Sequence, residues 1–210
     1  MLPAGGDGSG SRRWCDADGE GRIDHSVRVM VLLAALIAAL AVGSGASASK
    51  HPSPWAAYLA PVNACADAVN GHASETAQQT AMVCLINWTR QRIGARQLSW
   101  SRPLALAAIA KARVVIQCGD FSHYPCGTRW PTAVAMAPRA WNVWGENLYV
   151  GNLWLRTPRA AMHAWLESAL HREILFNRSW TRLGTTVQLA PTLVGGTNMS
   201  LWVLEVAGRR

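Results

Sequence analysis

The stretch WGENLYVG, residues 144–151, places a carboxylate and an amide, Glu146 and Asn147, in a run of aromatic, aliphatic and small residues. Burying a carboxylate is costly unless it is paired, hydrogen-bonded or bound to a cation. Either Glu146 faces solvent, or it has a partner from another part of the chain. The second interpretation requires partner segments, and the rest of the sequence offers two of them.

Histidines supply the candidate partners of Glu146. His123 lies in CGDFSHYPCG, residues 118–127, and His171 follows Ser168 by three residues, so that both share one face of a predicted helix. Two histidines and a carboxylate suit a divalent metal such as zinc, and they also suit general acid–base catalysis. His123, Glu146 and His171 are therefore the candidate metal ligands and the candidate catalytic residues. The alternative is that each histidine is an ordinary surface or structural residue.

Hydrophobic periodicity predicts three helices and two C-terminal strands. Ser74 and Gly94 are typical start and stop residues of the first helix, and Thr157-Pro158 is typical of the start of the third. The predicted segments are helices over 74–94, 101–117 and 157–175, and strands over 182–190 and 199–208 with a turn at Gly195-Gly196.

Two stretches carry no clear periodicity. Residues 49–73 contain three prolines among small residues and are interpreted as a linker, which leaves 74–208 as the folded domain. Residues 118–156 are punctuated by Gly and Pro, and a loop of that length is uncommon unless it is functional. Its tryptophan-rich part, 130–155, is a candidate ligand-binding region.

The N-terminal part of the chain resembles a targeting sequence. Residues 29–42 are apolar, Arg28 precedes them, and Ala46-Ser47-Ala48 follows as a cleavage site, so 29–48 is predicted to be a secretory signal peptide. An uncleaved N-terminal transmembrane anchor is the alternative, with membrane contact only through 29–48. Residues 1–28 are rich in Gly, Asp and Arg and are predicted to be disordered or untranslated.

Cysteine usage supports export. After the apolar segment the chain has four cysteines, an even number that indicates two disulfides in an oxidising compartment. Three connectivities are possible; we favour Cys118–Cys126, which closes a tight local loop, and Cys65–Cys84, which would fasten the N-terminal segment to the first helix. Zinc ligation is the alternative, but there is no C-x-x-C pair.

The charge balance limits the possible partners. The formal net charge is +8, which favours attraction to anionic surfaces such as envelope polymers or lipid headgroups. No nucleic-acid-binding module is recognisable, so nucleic acid is not expected as a partner. No nucleotide-binding, zinc-protease or serine-hydrolase motif is present either.

Taken in order, several motifs resemble one family. The matching positions are Asn87-x-x-Arg90-x-x-x-Gly94-x-x-x-Leu98-x-Trp100, Leu104-x-x-x-Ala108, Phe121-Ser122-His123, Gly145-Glu146-Asn147-Leu148, Trp165-x-x-Ser168-x-x-His171-Arg172, Gly184 and Trp202-Val203. This set, over about 74–207, resembles the CAP superfamily, also called SCP (cysteine-rich secretory protein, antigen 5, pathogenesis-related 1). The resemblance implies an α/β fold, a three-layer α-β-α sandwich, which agrees with the predicted helices and strands.

The resemblance also implies a site. The family has a cleft with two His and two Glu that can hold a divalent cation. His123 matches the first His, Glu146 the Glu of the GEN motif, and His171 the His of the bacterial S-P-G-H-R motif, while Ser168 takes the remaining Glu position, as in the bacterial branch. Asn147 and Arg172 would be neighbours in this cleft. The motif departs from S-P-G-H-R at Ala169-Leu170, and the loss of one carboxylate implies weaker binding of zinc or magnesium.

Membership of this family would imply a secreted, non-enzymatic binding or effector module of the cell envelope or exterior, with a lipid, sterol or envelope ligand. The alternative is a metal-assisted hydrolase, a peptidase or esterase of the envelope, in which Glu146 or a histidine activates a metal-bound water. A structural role through an anchor at 29–48 is a third possibility. Enzymatic activity is undecided on the sequence, with binding favoured.

Overall fold

The computed structural model describes residues 53–128 and 141–209 of the chain. The segments 1–28 and 29–48, the start of the predicted linker and part of the tryptophan-rich region therefore lie outside the described residues. The elements are helices α1 (Glu75–Arg92), α2 (Arg102–Cys118), α3 (Pro158–Glu167) and α4 (Ala169–Phe176), and strands β1 (Ser99–Trp100), β2 (Val143–Gly151), β3 (Trp180–Ala190) and β4 (Met199–Gly208).

Local sequence explains where the helices begin and end. The Ser74 hydroxyl accepts a hydrogen bond from the Ala77 amide at 3.2 Å, and Gly94 leaves α1 with a positive φ of 63°. Thr157 caps α3 in the same way, through the Ala160 amide at 3.1 Å. These are the start and stop residues that the sequence predicts.

The predicted third helix is two helices. Ser168 is extended, with φ −94° and ψ 125°, and it separates α3 from α4. The spacing of apolar residues continues through this break, so periodicity alone predicted one helix where the chain turns.

The sheet has the order β1-β3-β4-β2. β3 and β4 form the predicted antiparallel pair, and β1 joins β3 in parallel through Ser99 and Trp100. β2 lies in the region that was predicted to be a loop, and this is a correction: Val143–Gly151 pairs along its whole length with β4. Its mixture of Gly, Glu and Asn with apolar residues hid the alternation that usually reveals a strand.

Side chains of β4 alternate between two cores. Trp202, Leu204 and Val206 pack in the cluster that contains α1, α3 and α4, whereas Leu201 and Val203 pack against α2. The sheet is therefore covered on both faces by helices. This is the three-layer α-β-α sandwich that the sequence predicted.

The described part of the predicted linker is packed against the domain. Ala60, Cys65 and Ala68 are buried in the larger core. Both favoured disulfides are present, Cys65–Cys84 and Cys118–Cys126. The first explains the packing because it ties residue 65 to α1.

Among the described residues, no helix combines the length and the apolar character that crossing a membrane requires.

Candidate functional site

Glu146 has two partners in the structure. His123 Nδ1 lies 2.6 Å from Glu146 Oε1, and Lys111 Nζ lies 3.1 Å from the same oxygen. The Lys111 side chain is 2% exposed and that of Glu146 is 8% exposed, so this ion pair is buried. Lys111 also donates a hydrogen bond to the backbone carbonyl of His123. The carboxylate is thus paired, as its position among apolar residues required.

A second carboxyl group faces the first. Glu205 of β4 is the Cα partner of Glu146 of β2, and both side chains line the same small cavity. Burial raises the pKa of Glu205 well above its ordinary value, and the nearby Glu146 charge raises it further, while Lys111 partly opposes this shift.

Helix and strand periodicity position these groups. Leu104, Ala108, Lys111 and Val115 recur at helical spacing on the buried face of α2, which directs Lys111 at the sheet. Glu205 lies on the same face of β4 as Val203 and Ala207, which also faces α2. Neither residue was predicted from the sequence, although a charged side chain among apolar residues is the signal that led to Glu146.

His171 has other contacts than the sequence analysis expected. Its Nδ1 lies 2.7 Å from the Ser168 hydroxyl, and its backbone carbonyl accepts a hydrogen bond from the Asn147 amide at 3.1 Å. Burial lowers the pKa of His171, and the proximity of His123 lowers it further. Ser168 and Asn147 therefore both contact His171.

The contacts of Arg172 are with Trp55 and Leu166. Its guanidinium lies 3.8 Å from the centre of the Trp55 ring, and it donates to the Leu166 carbonyl at 2.6 Å. Stacking of Arg on an aromatic face is favourable. The described ion pairs of Glu146 are those with Lys111 and His123.

Comparison with protein families matches residues 83–195, more than half of the chain, to the model CAP: Cysteine-rich secretory protein family. The chain belongs to the CAP family. Among proteins of curated function, no match was found.

Two solved structures share the CAP fold of this chain. An extracellular protein containing a SCP domain from Bacillus anthracis str. Ames is 22% identical, with a TM-score of 0.53, over 65% of this chain and 41% of that one. An outer surface protein from Borrelia burgdorferi is 20% identical, with a TM-score of 0.51, over 61% of this chain and 90% of that one. This chain thus spans less than half of the Bacillus protein.

The described side chains of this CAP domain do not form the metal-ligand set that the resemblance implied. Within 53–128 and 141–209, no group of three or more His, Cys, Asp and Glu side chains is arranged to hold a metal ion. A dication at Glu146 Oε1 would meet the Lys111 ammonium at the same atom and be repelled by it. His171 Nδ1 is engaged with Ser168, so a metal ion could meet this imidazole only at Nε2.

A small cavity opens beside the CAP cleft. It encloses about 170 Å³ and is lined by His123, Tyr124, Trp144, Gly145, Glu146 and Glu205. Pockets for small-molecule ligands are typically about 300–1,000 Å³. The cavity is therefore large enough for a few waters or a small group, and small for a whole ligand.

Proposed function

We propose that this chain is an extracellular, non-enzymatic CAP module that binds a lipid surface through a short apolar tip. The tip is the 3₁₀ turn Leu153–Arg156, directly after β2. The observation that carries the proposal is its exposure: the side chain of Trp154 is 76% exposed and that of Leu153 is 63% exposed. Contiguous large apolar side chains in water indicate an interaction site.

The backbone holds the tip in place. Tyr149 donates from its hydroxyl to the Leu155 carbonyl at 2.9 Å, and Trp202 donates from its indole to the Arg156 carbonyl at 3.2 Å. Leu153 has a positive φ of 47°, which costs a residue with a Cβ about 1–3 kcal/mol. The strained residue lies in a turn whose apolar side chains are exposed to solvent. Backbone strain is common at binding sites, which agrees with a contact role for this turn.

The occupant we propose is the headgroup region of an anionic lipid layer. Tryptophan is favoured at that depth because its ring is apolar and its N–H is polar. The chain's net charge of +8 attracts it to anionic headgroups. This contact would be additional to the one expected through 29–48. An exterior location agrees with the extracellular and outer-surface relatives that share the fold.

The contacts of Glu146, the candidate base, favour a binding function over hydrolysis. Hydrolysis assisted by a metal would require Glu146 or a histidine to activate a water. Glu146 Oε1 is instead engaged by both Lys111 and His123, so this oxygen is not free to accept a proton from a water.

The test is co-sedimentation with vesicles of phosphatidylcholine, with and without an anionic phospholipid. The Trp154→Ser variant should bind roughly 30-fold more weakly, because burying a large apolar side chain contributes about 2 kcal/mol. Trp100→Ser is the matched control, since Trp100 is also exposed but lies on the opposite edge of the sheet. Equal binding of Trp154→Ser and the wild type would refute the proposal, as would no binding to either vesicle.

A further inference from the structure

We propose that the Lys111 ammonium is the resident cation of the CAP cleft, and that its contact with Glu146 takes the place of a divalent metal there. This inference concerns the cleft and does not depend on the lipid contact of the tip. It accounts for a buried pair of carboxyl groups without requiring a bound ion.

The contacts of Lys111 resemble those of a bound metal ion. Its nitrogen lies 3.1 Å from a carboxylate oxygen of Glu146 and donates to the carbonyl oxygen of His123. Its charge also acts on the carboxyl group of Glu205. Oxygen atoms from a carboxylate and a backbone carbonyl are common ligands of hard cations. One ammonium thus connects α2, the loop after it and β2, and the last two are segments that carry candidate metal ligands.

The residue type supports the same role. The chain has 18 arginines and two lysines, and Lys111 is the only lysine within the described residues. A guanidinium is a planar fork with five donors, whereas an ammonium is a compact point charge. Replacement of a metal ion requires the compact group, and lysine is found at this position in a chain that otherwise uses arginine.

The ion pair of Lys111 with Glu146 is buried and is not a surface contact. The Lys111 side chain is 2% exposed, and a lysine at such depth is rarely stable without a partner. Without Lys111, the carboxylate of Glu146 would lose its buried cation, while the side chains of His123, Glu146 and Glu205 would still line one cavity. These three side chains are not arranged as ligands while the ammonium is present. One nitrogen and two carboxylates suit zinc, so removal of the ammonium should let them close around a zinc ion.

The experiment is calorimetric titration of the full chain with zinc chloride and with magnesium chloride. The wild type should show no saturable binding, whereas Lys111→Met should bind one zinc ion per chain and show a higher Tm with zinc than without it. The double variant Lys111→Met/Glu146→Gln should lose this gain. Arg113→Met is the matched control, because it removes a positive charge from the exposed face of the same helix and should behave as the wild type.

Two results would overturn the proposal. The first is saturable zinc or magnesium binding by the wild type that is lost in Glu146→Gln, because a metal would then be the resident cation. The second is a folded Lys111→Met that binds no zinc. If Lys111→Met does not fold alone, refolding it with zinc decides the question: recovery supports the proposal, and failure with zinc, while Arg113→Met refolds normally, contradicts it.

Discussion

At the scale of single residues, the family motif holds backbone segments together. Asn87 donates from its amide to the Leu98 carbonyl at 3.0 Å and accepts from the Leu98 amide at 2.8 Å. Arg90 is fully buried and donates to three carbonyls, those of Arg96, Leu175 and Asn177. Both residues tie α1 to the segment before β1, and Arg90 also ties it to the C-terminal end of α4. Such buried acceptors are costly when left unpaired.

We expect Arg90→Met to lower the free energy of unfolding by about 3 kcal/mol, because it leaves those three carbonyls without their donor. Urea denaturation would measure the change. Arg92→Met is the control: Arg92 is exposed and lies 5.5 Å from the Trp88 ring centre, an interaction of about 1 kcal/mol or less. Equal losses in the two variants would show that the carbonyl contacts of Arg90 contribute little.

The candidate site was predictable from the sequence only in part. The buried position of Glu146 indicated a partner, and His123 was correctly brought to it. Lys111 and Glu205 were not predicted, because neither is a position that the family motifs mark as part of the cleft. Their charges at core positions were visible in the sequence, but pairing across β2 and β4 was not, since β2 was not recognised as a strand.

At the scale of elements, the close approach of α2 to β3 depends on a glycine. A Cβ atom on Gly184 would lie 2.1 Å from the Ala105 nitrogen and 2.3 Å from the Leu104 carbonyl carbon. Both are backbone atoms, so α2 would have to move away from the sheet to make room. The helix carries Lys111, and its distance from the sheet therefore also sets the geometry of the cleft.

Gly184→Ala should accordingly destabilise the fold by about 3 kcal/mol or more, as forced overpacking of a core does in its costlier cases. The midpoint of urea unfolding tests this. Gly71→Ala is a suitable comparison, because its Cβ would meet the flexible Arg156 side chain at 3.0 Å, and we expect a change within about 1 kcal/mol. A tolerated Gly184→Ala would mean that α2 can shift easily, and the buried contacts of Lys111 would then be loosely held.

At the scale of the whole molecule, β4 is the centre of the fold. It pairs with β2 on one side and β3 on the other, and all ten of its residues are buried. One of its faces packs against α2 and the other against α1, α3 and α4. Sequence periodicity predicted this strand and its partner β3, but the layer order followed only from the family resemblance, because periodicity does not say which helix covers which face.

Hydrogen exchange should therefore be slowest in β4. Its amides are hydrogen-bonded to strands on both sides, so they should open only with global unfolding, which for domains of this kind costs about 5–15 kcal/mol. β2 is an edge strand among the described elements, and alternate amides of an antiparallel edge strand have no partner strand. These should exchange orders of magnitude faster than those of β4, as measured residue by residue with NMR. Slow exchange of the outward-facing β2 amides would contradict the four-stranded order, because those amides would then be paired with a further segment or with another molecule.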